Sequence, residues 1–323
     1  MGISAVTTTG KYRRLIAGAA LAVATLASTV PAAAQTPPPD PVIGAAGDIA
    51  CDPADPNFSG ADPATCQHRA TAGLLSGATA VLPLGDVQYE EPALAKYENG
   101  YGAPGSWGDY NSVVRPAIGN HEYKEPGAAG YFDYFNSRGV VTGARDQAYY
   151  SYNVEPWHLV ALNSNCRKVT GGCGGTSPQM TWLKRDLAGD THQCELAYWH
   201  HPRFSSRTTG KPMQGAWSKL YAAGVDVVLN GHQHNYERFA PMNVSGAADP
   251  IEGIRQFIVG SGGRGLDGYV NTYATSEVRN NTDFGVLKLT LHATSYDWQF
   301  VSTQIDPLTG APRIVDQGSA LCH

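Results

Sequence analysis

Five apolar runs in this chain stop on the same kind of residue, and that repetition limits the fold more than any other feature. PVIGAAGD (41–48), ATAVLPLGD (78–86), SVVRPAIGN (112–120), CELAYWH (194–200) and VDVVLNGH (225–232) each end in Asp, Asn or His. Short apolar runs closed by turn formers read as buried strands. Between them, TCQHRATAGLLSG (65–77), PALAKYENG (92–100), PQMTWLKRDLAG (178–189) and MQGAWSKLYAAG (213–224) carry periodic apolar positions and a terminal glycine, which predicts helices. Such alternation builds an α/β sandwich, where ligands sit beyond the carboxyl ends of the strands. Here those ends collect Asp, Asn and His. In the last third, GIRQFIVG (253–260), GVLKLTLHA (285–293) and SYDWQFVST (295–303) alternate apolar and polar residues, which predicts a second, partly antiparallel sheet.

Lys11, Arg13 and Arg14 precede the apolar run LIAGAALAVATLASTV, and Ala32-Ala33-Ala34 precede Gln35. That order reads residues 1–34 as a secretory signal peptide, and the Arg13-Arg14 pair is compatible with twin-arginine export. Residues 35–41 form a Pro-rich linker, and 42–323 are read as one domain because no repeat or shift in composition divides them. No later stretch reaches the roughly 18 apolar residues of a membrane helix, so a secreted or periplasmic protein without a membrane span is expected. The leader holds three basic residues and no acidic one, so its removal moves the formal net charge from −5 to about −8. A stable nucleic-acid partner is not expected at that charge. Anionic small molecules remain possible where bound cations supply positive charge. Nothing in the sequence sets the oligomeric state.

Six cysteines in an exported chain favour disulfides. Several pairings are possible. Short loop closure suggests Cys51–Cys66 and Cys166–Cys173, which leaves Cys194 for Cys322. Zinc binding is the competing reading, but the chain has no CxxC pair.

The chemistry lies in five segments: Gly47-Asp48, Gly85-Asp86-Val87-Gln88-Tyr89, Gly119-Asn120-His121-Glu122, His200-His201-Pro202 and Gly231-His232-Gln233-His234. Each alone reads as a turn with a polar cap. Together they bring two carboxylates, an amide oxygen, three imidazoles and a phenol to converging strand ends, enough donors for two metal ions. Oxygen and imidazole donors without thiolates suit iron, zinc or manganese. Phosphate-ester hydrolysis needs a strong nucleophile and compensation of charge at phosphorus. Two metals about 3.5–4 Å apart meet both needs.

In this order the segments resemble the calcineurin-like metallophosphoesterases over nearly the whole chain after the leader. Many members carry Asp-x-His in the first motif, whereas Asp48-Ile49-Ala50 has Ala where that His would stand. In compensation, GDVQY (85–89) places Tyr89 three residues after Asp86, as in the GDxxY of purple acid phosphatases, and GHQHNYER (231–238) is similar to their GHxHxYER. The resemblance implies a four-layer α/β/β/α sandwich of two mixed sheets, with the metal site at the C-terminal strand ends. It implies Asp48, Asp86, Tyr89 and His234 as ligands of a first metal, Fe(III), which a tyrosinate oxygen favours. It implies Asp86, Asn120, His200 and His232 as ligands of a second, Fe(II), zinc or manganese, with Asp86 bridging. The plainer reading of Tyr89 is a core tyrosine, one of 17 in the chain.

His121 follows Asn120 and is expected to act as general acid, with both side chains contacting substrate. His201 is a second catalytic candidate, although neighbours on a strand face opposite sides. Plant-type purple acid phosphatases carry a further His pair that is missing from RFSSRTTGKP (203–212), so Arg203 or Arg207 is the expected phosphate contact. Loops 98–111 and 167–177, with Tyr101, Trp107 and Tyr110, are expected to form the pocket rim. His68, His158, His192, His292 and His323 lie outside the motifs and are expected to be structural or solvent-facing. The implied activity is hydrolysis of small phosphate monoesters by a metal-bound hydroxide, releasing inorganic phosphate. Alternatives are a phosphodiesterase or nucleotidase on the same site, or a non-catalytic, metal-retaining binding protein.

Overall fold

The apolar runs form strands wherever their backbone donors are uninterrupted. The computed structural model describes residues 39–207 and 213–323. The leader 1–34 and all but the end of the 35–41 linker lie outside the described residues, and Asp40–His323 form one compact unit. In chain order the main elements are β1 (Val42–Ala46), α1 (His68–Gly73), β2 (Ala80–Pro83), α2 (Leu94–Asn99), α3 (Ala129–Asn136), β3 (Tyr150–Val154), β4 (Trp157–Ala161) and α4 (Pro178–Gly189). They continue with β5 (Cys194–Tyr198), α5 (Gln214–Ala223), β6 (Val227–Asn230), β7 (Tyr236–Phe239), β8 (Arg255–Val259), β9 (Ser276–Asn280), β10 (Gly285–Leu291), β11 (Ser295–Ile305) and β12 (Pro312–Leu321). No helix among the described residues is long and apolar enough to cross a membrane.

Two mixed sheets result, ordered β12-β11-β10-β1-β2 and β3-β4-β5-β6-β8-β7-β9. The larger one is buried on both faces, which is why its central strands read as unbroken apolar runs. Val227 and Leu229 of β6 join the core shared with the smaller sheet. Val228 points the other way, into a second core with Met180 and Leu183 of α4 and Trp217 and Leu220 of α5. Helix α3 packs against α2, and on the far side α1 packs with the smaller sheet near β11, giving the expected four layers. Gly44 permits that approach, since a Cβ there would lie 2.5 Å from Leu75 Cδ2.

Helix ends follow their local chemistry. Ser177 Oγ accepts the Met180 N–H and Pro178 opens α4, while α5 stops at Gly224 with φ +85°. The structure forms Cys51–Cys66, Cys166–Cys173 and Cys194–Cys322.

Three expectations need correction. SVVRPAIGN makes only isolated parallel bridges, Val81 to Val114 and Leu84 to Ala117, because Pro116 has no N–H to continue a ladder. GIRQFIVG does not join the other late runs: β8 pairs in parallel with β6 in the larger sheet, whereas β10 and β11 extend β1 in the smaller. Its residues 256–259 are buried on both faces, and period alone does not assign a strand to a sheet. Finally, Tyr101 and Trp107 form no rim, for both are fully buried. Tyr101 packs on Tyr134 and Phe135 of α3, Trp107 Nε1–H donates to Thr71 Oγ1, and Tyr110 O–H donates to the Ala72 carbonyl.

Candidate metal centre

β1 and β2 run parallel in the smaller sheet, and each is followed by a turn that aims an Asp at the same point. Asp48 and Asp86 both hold left-handed backbones, φ +59° and +49°, as does His232 at +69°. Side chains seldom adopt this conformation, and strained residues of this kind gather at functional sites. The preceding glycines are needed for space. A Cβ on Gly85 would sit 2.6 Å from His200 Nδ1, and one on Gly119 would sit 2.2 Å from Asp86 Oδ1.

The predicted donors come together in two sets. In the first, Asp48 Oδ1 lies 2.9 Å from the Tyr89 hydroxyl and 3.2 Å from His234 Nε2, which is itself 3.1 Å from that hydroxyl. Asp86 Oδ2 joins this set 3.2 Å from the Tyr89 hydroxyl and the second set 3.3 Å from His200 Nε2. The His232 ring centroid is 5.0 Å from that of His200. Asn120 Oδ1 is buried without a hydrogen-bond partner among the described residues, an unsatisfied acceptor of the kind a cation would satisfy. Among the described residues, Asp48, Asp86 and His200 also form a buried trio with ligand atoms within 4.8 Å of one another.

Hydrogen bonds outside this cluster orient the imidazoles. His200 Nδ1–H donates to the Leu84 carbonyl at 2.8 Å and His234 Nδ1–H to the Gly265 carbonyl at 2.7 Å, so each Nε2 faces the carboxylates. That fixed tautomer is the usual arrangement of a metal-binding histidine. Burial opposes protonation of both rings, but Asp86 for His200 and Asp48 for His234 outweigh it and raise each to about 9. Burial would also raise Asp86, yet His200 holds it well below the usual carboxylate range. The carboxylates therefore draw positive charge to this point, and two carboxylates, a phenol, an amide and three imidazoles suit a pair of borderline metals.

His121 Nδ1–H donates to the Glu90 carbonyl at 2.9 Å, and its Nε2 lies 3.9 Å from Asp86 Oδ2. His201 Nδ1 is 2.9 Å from Ser164 Oγ, and its ring stands 4.3 Å from that of His232. Burial, then the neighbouring His200 and His232, push His201 down to about 2. Arg203 lies over the Phe204 ring. Arg207 donates to the Gly268 carbonyl and pairs with Asp267 at 3.2 Å. The cavity of about 410 Å³ over Tyr89, His121 and His234 is lined instead by Arg264, which pairs with Glu90 at 2.8 Å.

Sequence reasoning left Glu122 and Arg264 without roles. Glu122 is fully buried, and its carboxylate accepts the backbone N–H groups of Asp86, Val87 and Gly119. Burial, then the Asp86 charge, raise it to about 7 against the pull of those hydrogen bonds. Its signal was its place in Gly-Asn-His-Glu. Arg264 sits in a glycine cluster, the one clue the sequence held, and the structure shows why the cluster is there: a Cβ on Gly260 would lie 2.9 Å from Asp48 Oδ2.

A calcineurin-like phosphoesterase family model matches residues 69–236, more than half of the chain. The chain belongs to that family. Among this phosphoesterase's curated relatives, purple acid phosphatase 18 of Arabidopsis thaliana is 30% identical over 179 residues, covering 49% of this chain and 39% of the relative. The chain thus spans less than half the length of that relative. The purple acid phosphatase PPD1 from yellow lupin (Lupinus luteus) seeds superposes with a TM-score of 0.63 at 18% identity, over 86% of this chain and 53% of the lupin chain. A dimetal phosphatase from Danio rerio superposes with a TM-score of 0.55 at 14% identity, over 88% of this chain and 100% of the other. These likenesses bear out the purple acid phosphatase-like fold expected of the phosphoesterase.

Proposed function

We propose that this chain is an exported, two-metal phosphatase that hydrolyses small phosphate monoesters. The observation that carries the reading is the position of Asp86 Oδ2, 3.2 Å from the Tyr89 hydroxyl and 3.3 Å from His200 Nε2. One carboxylate oxygen lies between the two donor sets, where Asp86 could serve both ions. Asp48, Tyr89, His234 and Asp86 would hold one ion, and Asp86, Asn120, His200 and His232 the other. When bound, the metals supply Lewis acidity toward a phosphoryl oxygen and lower the pKa of water.

The remaining steps fall to the chain. With its Nδ1–H on the Glu90 carbonyl, His121 presents Nε2 to the cavity, where a proton on that atom can pass to the departing alkoxide. Arg264 lines the same cavity and offers a guanidinium for phosphate oxygens, while Glu90 fixes its orientation. His201 stays neutral and Ser164 holds it beside His232, which fits a positioning role more than proton transfer.

The test is release of p-nitrophenol from mono- and bis-ester substrates by purified protein, with chelator and after reloading with iron, zinc or manganese. Monoester turnover that chelation abolishes and metals restore is expected. A dominant bis-ester activity would move the assignment to a phosphodiesterase, and no release under any metal would leave the binding-protein reading.

A further inference from the structure

A second cluster of metal-type donors lies at the opposite end of the larger sheet. His200 follows the carboxyl end of β5, whereas His158 stands near the start of β4 and Glu195 near the start of β5, directly across from it in the parallel register. Asp190 closes α4, and His192 lies in the turn leading into β5. Ligand atoms of His158, Asp190 and His192 all fall within 4.8 Å of one another.

The geometry is ordered around one oxygen. Asp190 Oδ1 is 2.7 Å from His192 Nδ1 and 3.6 Å from His158 Nδ1. Asn153 Oδ1 approaches the same His158 nitrogen at 2.8 Å, which brings a fourth donor to this side. The outward nitrogens are held by other carboxylates: His158 Nε2 by Asp186 at 3.0 Å and His192 Nε2 by Glu155 at 3.3 Å. Asp186 is itself fixed by the Ser151 hydroxyl at 2.6 Å. A carboxylate behind each imidazole is the outer-shell pattern of histidines that bind metals.

An independent observation concerns charge. Glu195 is only 7% exposed, and its Oε2 has no hydrogen-bond partner among the described residues. Burial, then Asp190, with Asp226 and Asp186 behind it and His158 opposing, push its carboxyl up to about 7, and His323 pairs with Asp226 at 3.1 Å. Burying such a group without a compensating cation is costly.

We propose that His158, Asp190 and His192, with Asn153, form a structural site for one divalent cation of zinc's class, separate from the catalytic centre. Two imidazole nitrogens and two oxygens are a donor set zinc accepts in four-coordinate sites. The ion would tie the end of α4 to β3 and β4 and offset the buried Glu195. The competing account keeps both imidazoles protonated as partners of the carboxylates, with no metal.

The test is zinc stoichiometry of the full chain, measured by equilibrium dialysis and elemental analysis after chelation and reloading. Wild type should hold one more zinc equivalent than His192→Gln, and that variant should keep wild-type phosphatase turnover. Glu155→Gln alters a side chain that is 76% exposed. It should retain the fold and bind the additional zinc about 10–100-fold more weakly. Equal zinc content in wild type and His192→Gln would overturn the proposal. If His192→Gln does not fold, unchanged zinc affinity in Glu155→Gln would overturn it as well.

Discussion

Glu122 Oε2 accepts the backbone N–H of Asp86 at 3.0 Å, and the same oxygen accepts that of Gly119 at 2.7 Å. A single buried carboxylate thus fastens the turns that carry Asp86 and Asn120. An amide at this position places an N–H against a backbone donor whichever way it is turned. Glu122→Gln should therefore cost about 1–3 kcal/mol for each donor left unpaired. It should also lower metal content together with turnover, read by thermal melts and elemental analysis. A variant as stable and as metal-loaded as wild type would deny Glu122 this role.

Asp86→Ala and Asn120→Ala remove proposed ligands from loops outside the main core, so both should abolish turnover while the fold survives. His121→Ala should instead lose about 10²–10⁴ in rate with both metals retained. Circular dichroism, metal analysis and steady-state rates separate the two outcomes. Metal loss from His121→Ala equal to that from Asn120→Ala would make His121 a ligand.

Tyr89 is held neutral without a metal: burial, then the charges of Asp48 and Asp86, push it well above its ordinary 10. Only a strongly bound cation would draw out the phenolate. Iron-loaded wild type should show a broad visible band, absent from zinc-loaded protein, and Tyr89→Phe should bleach it and weaken iron binding. A colourless, fully active protein holding only zinc or manganese would reject iron at this position.

His68 offers a pH test away from the proposed metal centre. It is fully buried, neither ring nitrogen has a hydrogen-bond partner among the described residues, and burial lowers it from 6.5 to about 4. A base lowered in the fold favours its neutral form there, so its stabilisation is full above pH 6.5 and falls as pH drops toward 4. The linked loss is on the order of 3 kcal/mol. Urea midpoints at pH 7 and pH 5 should differ less in His68→Leu than in wild type. Equal pH dependence in the two proteins would exclude the effect.

Much of this was legible because the informative residues stand where strands stop. The ends of β1, β2, β5 and β6 were visible as apolar runs closing on Asp48, Asp86, His200 and His232, and the donor set could be read from them. Sheet membership was not legible, since β8 and β10 have similar patterns and differ only in their neighbours. Pairing is a long-range choice that local period does not encode. Tyr101 and Trp107 misled because aromatic residues in a glycine-rich loop look exposed, and only packing on α1 and α3 shows that they are core. Glu122 and Arg264 escaped because each acts through backbone or cavity geometry. Glu122 showed only as the last residue of Gly-Asn-His-Glu, and Arg264 leaves no spacing rule in the sequence.

Asp48 and Asp86 hang from the smaller sheet, whereas His200 and His232 hang from the larger, so the donors straddle the sandwich. A slip of two residues along any one strand would keep its faces correct and its core buried. It would also carry that strand's donor about 7 Å away from the others. Such a chain would pass tests of compactness, secondary structure and solubility and still be inert. Turnover, if the proposed activity is measured, would therefore be a proofreading signal, reporting that two separately paired sheets have each settled in register.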